Sequence, residues 1–357
     1  MTRMKNLFKN MNKTTKSNMI TYSLVIIVYV IVQILVTTGS ISSLMKGLLV
    51  PLCVYVIAAI SLNLVVGISG ELSLGHAGFM CVGAYSSAFF SVYVGDGMPE
   101  FVRFLLAILI GAAVAALFGI LIGIPVLKLR GDYLAIVTLA FGEIIKNLMN
   151  VMYIGKDSKG LHFSVTDTAG LNMEADGQVI VKGALGITGT PKNSNFTIGV
   201  VLILLALFII LNLINSRSGR AIMAIRDNRI AAESIGINIT KYKLMAFAIS
   251  AALAGVAGVL YAHNLSTLTV KKFDYNTSIL ILVFVVLGGI GNIRGSMIAA
   301  VLLTVLPEVL RGLSDYRMLI YAVVLIAMML FNWAPAAITW REKVKAKFKK
   351  KNVKEAE

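Results

Sequence analysis

Long apolar segments separated by short polar ones run through most of this chain. Each apolar segment holds about 18 to 24 residues, enough for an α-helix to cross the ~30 Å hydrocarbon core of a bilayer. This pattern predicts an all-α polytopic membrane protein with about ten transmembrane helices. The predicted spans are about 20–37, 47–66, 72–94, 104–127, 134–151, 196–214, 244–261, 277–287, 296–310 and 319–333.

Two glycine-rich segments interrupt the apolar pattern. GISGELSLG occupies residues 67–75 after the second predicted span, and GGIGNIRG occupies residues 288–295 after the eighth. Glycine permits non-helical backbone, which persists at membrane depth only where protein or a water-filled cavity surrounds it. Two similar breaks predict discontinuous helices and favour an architecture of two inverted halves, as in many transporters.

The composition agrees with a membrane protein. Hydrophobic residues make up 58% of the 357 positions and charged residues only 14%, whereas soluble domains are about a quarter charged. The net charge of +16 is explained by where the basic residues lie between the spans, so we expect no nucleic-acid partner.

The distribution of Lys and Arg predicts the orientation. They concentrate at both termini and in residues 216–243, and basic residues favour the cytoplasmic side; Lys271 and Lys272 oppose the trend. We expect a membrane protein with both termini in the cytoplasm. Its expected parts are a basic arm (1–19), a transmembrane domain (20–333) with an extracytoplasmic segment (152–195), and a basic tail (341–357). The tail either binds anionic membrane lipid or is a solvated segment that only fixes the topology.

Residues 216–243 form a polar stretch between two apolar segments. Asp227 or Asn228 is a suitable N-cap, and Gly236 is a suitable C-terminal stop, so a short helix is predicted over 229–235. The simpler interpretation is an ordinary cytoplasmic loop, because basic loops are common on that side of the membrane. The alternative interpretation is a docking helix for a cytoplasmic motor subunit.

The segment 67–85 combines glycines with polar side chains inside an apolar region. One interpretation is that it forms a wall or gate of a transport pathway; the other is close helix packing through small residues. Residues 288 and 289, in the second break, belong to the same hypothesis. The pathway candidates here are Gly70, Ser73, Gly75, His76, Gly288 and Gly289.

The fifth predicted span carries charged residues. Glu143 and Lys146 are three apart, so they share a helix face and can pair. An ionisable group inside a membrane is by default a functional candidate. We assign Glu143, with Thr138 of the same span, to the pathway, and Lys146 to the interface at the end of the span.

Several kinds of catalytic site have no matching pattern. No GxxxxGK[ST] sequence is present to bind a nucleotide, and the three histidines and two cysteines lack a zinc spacing. We therefore expect no cofactor, no metal and no enzymatic activity, with any ATP bound by partner chains. An intramembrane enzyme using Ser73 and His76 is a remote alternative, and an ion-driven transporter relying on Glu143 is another.

Four blocks within residues 45–320 resemble one known family, the permease subunits of branched-chain amino acid ABC transporters of the LivM type. The blocks are ISLNLVVGISGELSLGHAGFMCVGAY, KLRGDYLAIVTLAFGEIIKNL, SGRAIMAIRDNRIAAESIGINITKYKLMAFAISAALAGVAGVLYA and VVLGGIGNIRGSMIAAVLLTVLPEVLR. The resemblance implies the ABC importer permease fold. A urea or short-chain amide permease is the nearest alternative, because it shares similar blocks.

The resemblance also implies partners and a coupling site. The partners are a second permease subunit, two ATP-binding subunits and an extracytoplasmic substrate-binding protein; the substrates are leucine, isoleucine and valine. Residues 216–243 resemble the loop through which ABC permeases contact their ATPases, although Ile230 stands where the general pattern has Glu. Segment 152–195 is longer than the family leads us to expect. The implied coupling residues are Arg226, Asp227, Asn228, Ile230, Ala231, Ala232 and Gly236.

Overall fold

The computed structural model describes residues 13–129, 131–174, 177–313 and 316–333. Residues through Val301 form one compact unit and those from Leu302 a second, in which Arg311 pairs with Glu308 at 3.0 Å. The described α-helices are α1 (Lys13–Thr37), α2 (Ser43–Asn63), α3 (His76–Val94), α4 (Glu100–Val126), α5 (Asp132–Val151), α6 (Phe196–Asn215), α7 (Arg217–Asp227), α8 (Arg229–Ser234), α9 (Ile239–Ala262), α10 (Tyr275–Gly288), α11 (Ile293–Val309) and α12 (Arg317–Trp333). The predicted tail lies outside the described residues, as do positions 1–12 of the predicted arm; its remaining positions begin α1.

Eight helices in the described part of the chain are long and apolar enough to cross a membrane, which makes this a multi-pass membrane protein. They are Thr15–Thr37, Ser43–Ser69, His76–Val94, Glu100–Val126, Asp132–Val151, Phe196–Asn215, Ile239–Ala262 and Ile293–Gly312. The eighth and tenth predicted spans coincide instead with α10 and α12, of 14 and 17 residues. Since a full crossing needs about 20 residues, α10 is too short to span the bilayer alone.

Helix α9 lies at the centre of the first unit and packs against α2, α3 and α4. Small residues make this packing close. A side chain at Gly258 would overlap the Met80 carbonyl oxygen, and one at Gly83 would overlap the backbone of Gly255. Helices that bring small residues to their contacts can approach until their backbones touch. The core of the unit is therefore built by backbone proximity as much as by large side chains.

A five-stranded antiparallel sheet follows α5. The sequence pattern did not predict this sheet. Its strands are β1 (Tyr153–Asp157), β2 (Gly160–Ser164), β3 (Gln178–Lys182), β4 (Ile187–Thr188) and β5 (Thr267–Leu268), in the order β2-β1-β3-β4-β5. β5 comes from the chain after α9, so the sheet connects the C-terminal ends of α5 and α9. We call this the sheet end of the unit. The opposite end, where α6 leads through α7 and α8 into α9, is called the α7–α8 end.

Asp157 organises the β1–β2 hairpin. Its buried carboxylate accepts hydrogen bonds from the backbone amides of Lys159 (2.8 Å), Gly160 (3.1 Å) and Glu174 (3.2 Å). His162 Nε2 lies 2.9 Å from Oδ2. Burial by itself raises the pKa of this carboxyl, but the hydrogen bonds from Glu174, Lys159 and His162 outweigh it and leave the pKa below its ordinary value.

Asp157→Ala should therefore open this hairpin and leave the helices folded. It removes the acceptor for three amides and His162, and unpaired buried donors are costly. We expect hydrogen exchange of the 153–164 amides to become at least tenfold faster. Because the folded pKa is depressed, the stabilisation is complete at neutral pH and is lost as pH falls through the folded pKa. Unchanged exchange in 153–164, with Asp167→Ala as the exposed control, would contradict this role.

Candidate functional site

The chain between α2 and α3 is not a continuous helix. α2 passes into a π-helix, Leu64–Ser69, which Gly70 ends at φ +76°, and residues 71–75 lead to the start of α3. There the Leu74 amide donates to Thr138 Oγ1 at 3.0 Å. A Cβ on Gly75 would overlap the Thr138 carbonyl oxygen, so only glycine permits this approach. The N-terminus of α3 is thereby held against the middle of α5.

The N-terminus of α10 meets the same part of α5. Asp274 caps α10 by accepting from the Thr277 amide at 3.0 Å. The Tyr275 amide donates to Glu143 Oε1 at 3.1 Å, and Ser278 Oγ accepts from the Ala77 amide of α3 at 3.0 Å. We call this meeting of α3, α5 and α10 the α5 junction. Its six contact residues are Leu74, Ala77, Thr138, Glu143, Tyr275 and Ser278.

The two helices leave the α5 junction in opposite directions. α3 runs to the sheet end, where the Tyr93 carbonyl accepts from Lys156 Nζ at 3.4 Å. α10 runs to the other break, whose Gly291 lies against Gly67. Interrupted helices that run in opposite directions from one point are typical of transporter binding regions.

Glu143 and Lys146 form the ion pair that their spacing predicts. Lys146 Nζ lies 2.5 Å from Glu143 Oε2, and the two side chains are about one quarter exposed. Lys146 also stands well inside α5 rather than at its last turn. Beside Glu143 the three helices pack closely, and this contact includes Leu139 of α5 and the buried Phe273, which lies just before α10.

His76 and Ser73 are both buried, but they do not form the nucleophile–base pair of the enzymatic alternative. His76 Nε2 lies 2.7 Å from Ser61 Oγ instead. Ser73 Oγ is buried without a hydrogen-bond partner among the described residues. His263 is likewise engaged, by Ser91 Oγ at 2.9 Å. In the described part of the chain, no group of three or more His, Cys, Asp or Glu side chains could hold a metal ion.

The second glycine-rich break packs on the first. Asn63 Oδ1 accepts from the Gly291 amide at 2.9 Å, and its Nδ2 donates to Ser296 Oγ at 2.8 Å. Any Cβ on Gly67 would overlap Gly291 and the Asn63 side chain. Gly288 and Gly289 lie in the second break, where Gly288 packs against the backbone of Gly295 and Ser296. The hydrophobic pattern did not point to Asn63, because a single amide in an apolar segment has no distinctive spacing.

The predicted coupling segment is a pair of short helices, α7 and α8. Asn228, rather than Asp227, caps α8 by accepting from the Ala231 amide at 3.0 Å. Gly236 adopts φ +84° after the helix, as its predicted role as a stop requires. Asp227 instead accepts from Arg226 at 2.9 Å.

Arg226 joins this segment to the first break. Its Nη1 donates to the Gly67 carbonyl oxygen at 2.9 Å, and a Cβ on Gly70 would overlap its side chain. Lys243, at the start of α9, pairs with Glu71 of the same break. The ends of α7 and α9 are therefore both tied to the chain between α2 and α3, a connection between positions about 160 residues apart.

Two apolar side chains of the segment are exposed: Ile230 at 80% and Ile235 at 75%. Ala231 is exposed as well. Ala232 is buried against Ile225 and Ile239 within the chain. Of the three apolar side chains among the predicted coupling residues, Ile230 and Ala231 are accessible to a partner and Ala232 is buried within the chain.

Comparisons with known proteins agree with this architecture. The family model described as branched-chain amino acid transport system / permease component matches residues 44–331. The high-affinity branched-chain amino acid transport permease LivM of Salmonella typhimurium is 37% identical over 300 residues, which is 80% of this chain and 67% of that protein; LivM of Escherichia coli gives the same values. The nucleoside ABC transporter permease NupC of Lactococcus lactis is more distant, at 26% identity over 55% of this chain and 60% of its own.

No solved structure matches the chain. The family match nevertheless covers most of the sequence and includes α2 to α11, both glycine-rich breaks and the α7–α8 segment. The chain therefore belongs to the family of permease components of branched-chain amino acid transport systems.

Proposed function

We propose that this chain forms half of the translocation pathway of an ATP-driven importer for leucine, isoleucine and valine. The observation that carries the coupling part of the proposal is the exposed pair Ile230 and Ile235 on a segment that Arg226 ties to the first break. Isolated exposed apolar residues are common, but these two lie in and directly after one short, capped helix. The substrate class rests on the similarity to the LivM proteins.

In this proposal two ATP-binding subunits dock on the α7–α8 end and hydrolyse ATP, and a second permease subunit completes the pathway. When the ATP-binding subunits close, they move α7 and α8. Arg226 transmits this movement to the Gly67 carbonyl, and the two contacting breaks shift together. The N-termini of α3 and α10 then move relative to α5, which alternates access to the α5 junction.

The same proposal fixes the orientation in the bacterial cytoplasmic membrane. The α7–α8 end and both termini face the cytoplasm, and the sheet end faces outward to receive the substrate-binding protein. Strand β2 supports this role because Leu161 and Phe163 are exposed on alternate positions of the strand, and Val165, just after it, is exposed as well.

Purification and transport together test the proposed function. The chain should co-purify in mild detergent with a second permease and two ATP-binding subunits. The reconstituted complex, given its binding protein, should accumulate leucine but not urea when ATP is present. Uptake of urea without leucine would favour the amide-permease alternative, and uptake that needs no ATP would contradict an ATP-driven mechanism.

A further inference from the structure

We infer that the α5 junction is a transient binding site for the zwitterionic α-amino acid headgroup, with Glu143 and Lys146 as its charged contacts. The inference rests on the proposed function and adds what that function leaves open, namely where substrate is recognised inside the membrane. It is carried by the position of the two charged groups, by the groups around them, and by their exposure.

The charged pair lies near the middle of the bilayer. Glu143 is the twelfth of the 20 residues of α5, so it lies about 16 Å along the axis from the first. That is roughly half of the ~30 Å hydrocarbon thickness. Ionisable groups at this depth face the interior of a bundle or a water-filled cavity rather than lipid.

The pair is not enclosed by its own chain. The side chains of Glu143 and Lys146 are 28% and 24% exposed. Beside them Tyr275 is 48% exposed, and Lys272 and Asn276 are exposed too. Since ionisable groups at this depth face a bundle interior or a water-filled cavity rather than lipid, we place this polar surface on the translocation pathway of the proposed function.

The groups at the junction match an amino acid in kind and number. Lys146 and the positive N-terminal end of α10 suit a carboxylate. Glu143 and Asp274 suit an ammonium group. Both charged parts of the headgroup therefore have a counterpart at the α5 junction.

The hydrogen bonds suggest how the site works when it is empty. In the empty site, Glu143 binds both of the groups that would attract a carboxylate. It accepts a hydrogen bond from the Tyr275 amide at 3.1 Å and pairs with Lys146 at 2.5 Å. A substrate carboxylate can replace it at both places, which frees Glu143 to accept the substrate's ammonium. Such an exchange keeps every charge paired at each stage, so the site binds weakly enough to release its substrate.

Glu143→Gln tests this exchange. Glutamine retains an oxygen that can accept from the Tyr275 amide, so the junction should stay folded, but it removes the charge that attracts ammonium. In proteoliposomes that hold the complete transporter and its leucine-loaded binding protein, leucine transported per ATP hydrolysed should fall at least tenfold. Lys146→Met should have a similar effect. Glu100→Gln, the same change in the exposed first turn of α4, should leave the ratio unchanged.

The ratio of leucine transported to ATP hydrolysed separates a loss of substrate recognition from a loss of folded structure. If both variants keep the wild-type ratio of leucine to ATP, the inference is overturned, even when their total activity is lower. If either variant loses the second permease chain during purification, Glu143 and Lys146 serve the subunit interface, and the inference is also overturned. Failure of the wild-type complex to transport leucine would instead contradict the proposed function itself.

Discussion

Gly67→Val should reduce ATP-driven uptake by this transporter at least tenfold. Gly67 lies where the two glycine-rich breaks touch, and a Cβ there would overlap the Gly291 backbone and the Asn63 side chain. Backbone cannot move aside as a flexible side chain can, and overpacking of this kind costs about 1–3 kcal/mol or more. The π-helix would have to shift, which would also displace the Gly67 carbonyl from Arg226. One substitution should therefore disrupt both the contact between the two breaks and the Arg226 connection from the α7–α8 end to the first break.

Gly47→Val is the matched control. Gly47 lies in α2, the helix that continues into the π-helix of Gly67, but it is exposed, and a Cβ there would have nothing within 4 Å. Uptake should be measured together with the thermal unfolding midpoint in detergent, so that a lost contact is separated from a lost fold. If Gly67→Val transports at the rate of Gly47→Val, the breaks do not approach each other as closely as described.

Much of the helical architecture followed from the sequence because its physical cause is local. An apolar run of about 20 residues has few alternatives to a membrane helix, and eight of the predicted spans coincide with helices of spanning length. The Asn228 cap, the Gly236 stop and the Glu143–Lys146 pair depend on residues at most eight positions apart. Such features depend on short-range geometry and not on contacts between distant segments.

What the sequence could not predict depends on contacts between distant segments. Strand β5 joins the sheet from beyond α9, and β1 to β4 are short and interrupted by turns, so no alternating pattern was long enough to show them. Asn63 acquires its role only because Gly291 and Ser296, more than 200 positions away, lie beside it. The similarity of the two glycine-rich breaks was visible, but their contact was not, since two like patterns do not imply proximity.

Ile230→Asp should abolish uptake while the chain remains folded in the membrane. Ile230 is 80% exposed, so the substitution removes no internal contact. It also stands in the first turn of α8, two positions after the Asn228 cap, where an acidic side chain favours the helix by about 0.3–1 kcal/mol. Ala231→Asp, one position further, shares both properties. Any loss of function would therefore come from a lost contact with a partner subunit.

The size of the effect follows from the contact that we propose. If Ile230 packs into an ATP-binding subunit, an aspartate there buries an unpaired carboxylate, at a cost of several kcal/mol. Each 1.4 kcal/mol is a tenfold change in affinity, so the ATP-binding subunits should bind at least 100-fold more weakly and be lost on purification. Thr240→Asp is the control, because it puts the same charge at the same position of the exposed first turn of α9. Full uptake by Ile230→Asp, with both ATP-binding subunits retained, would place the motor contact elsewhere.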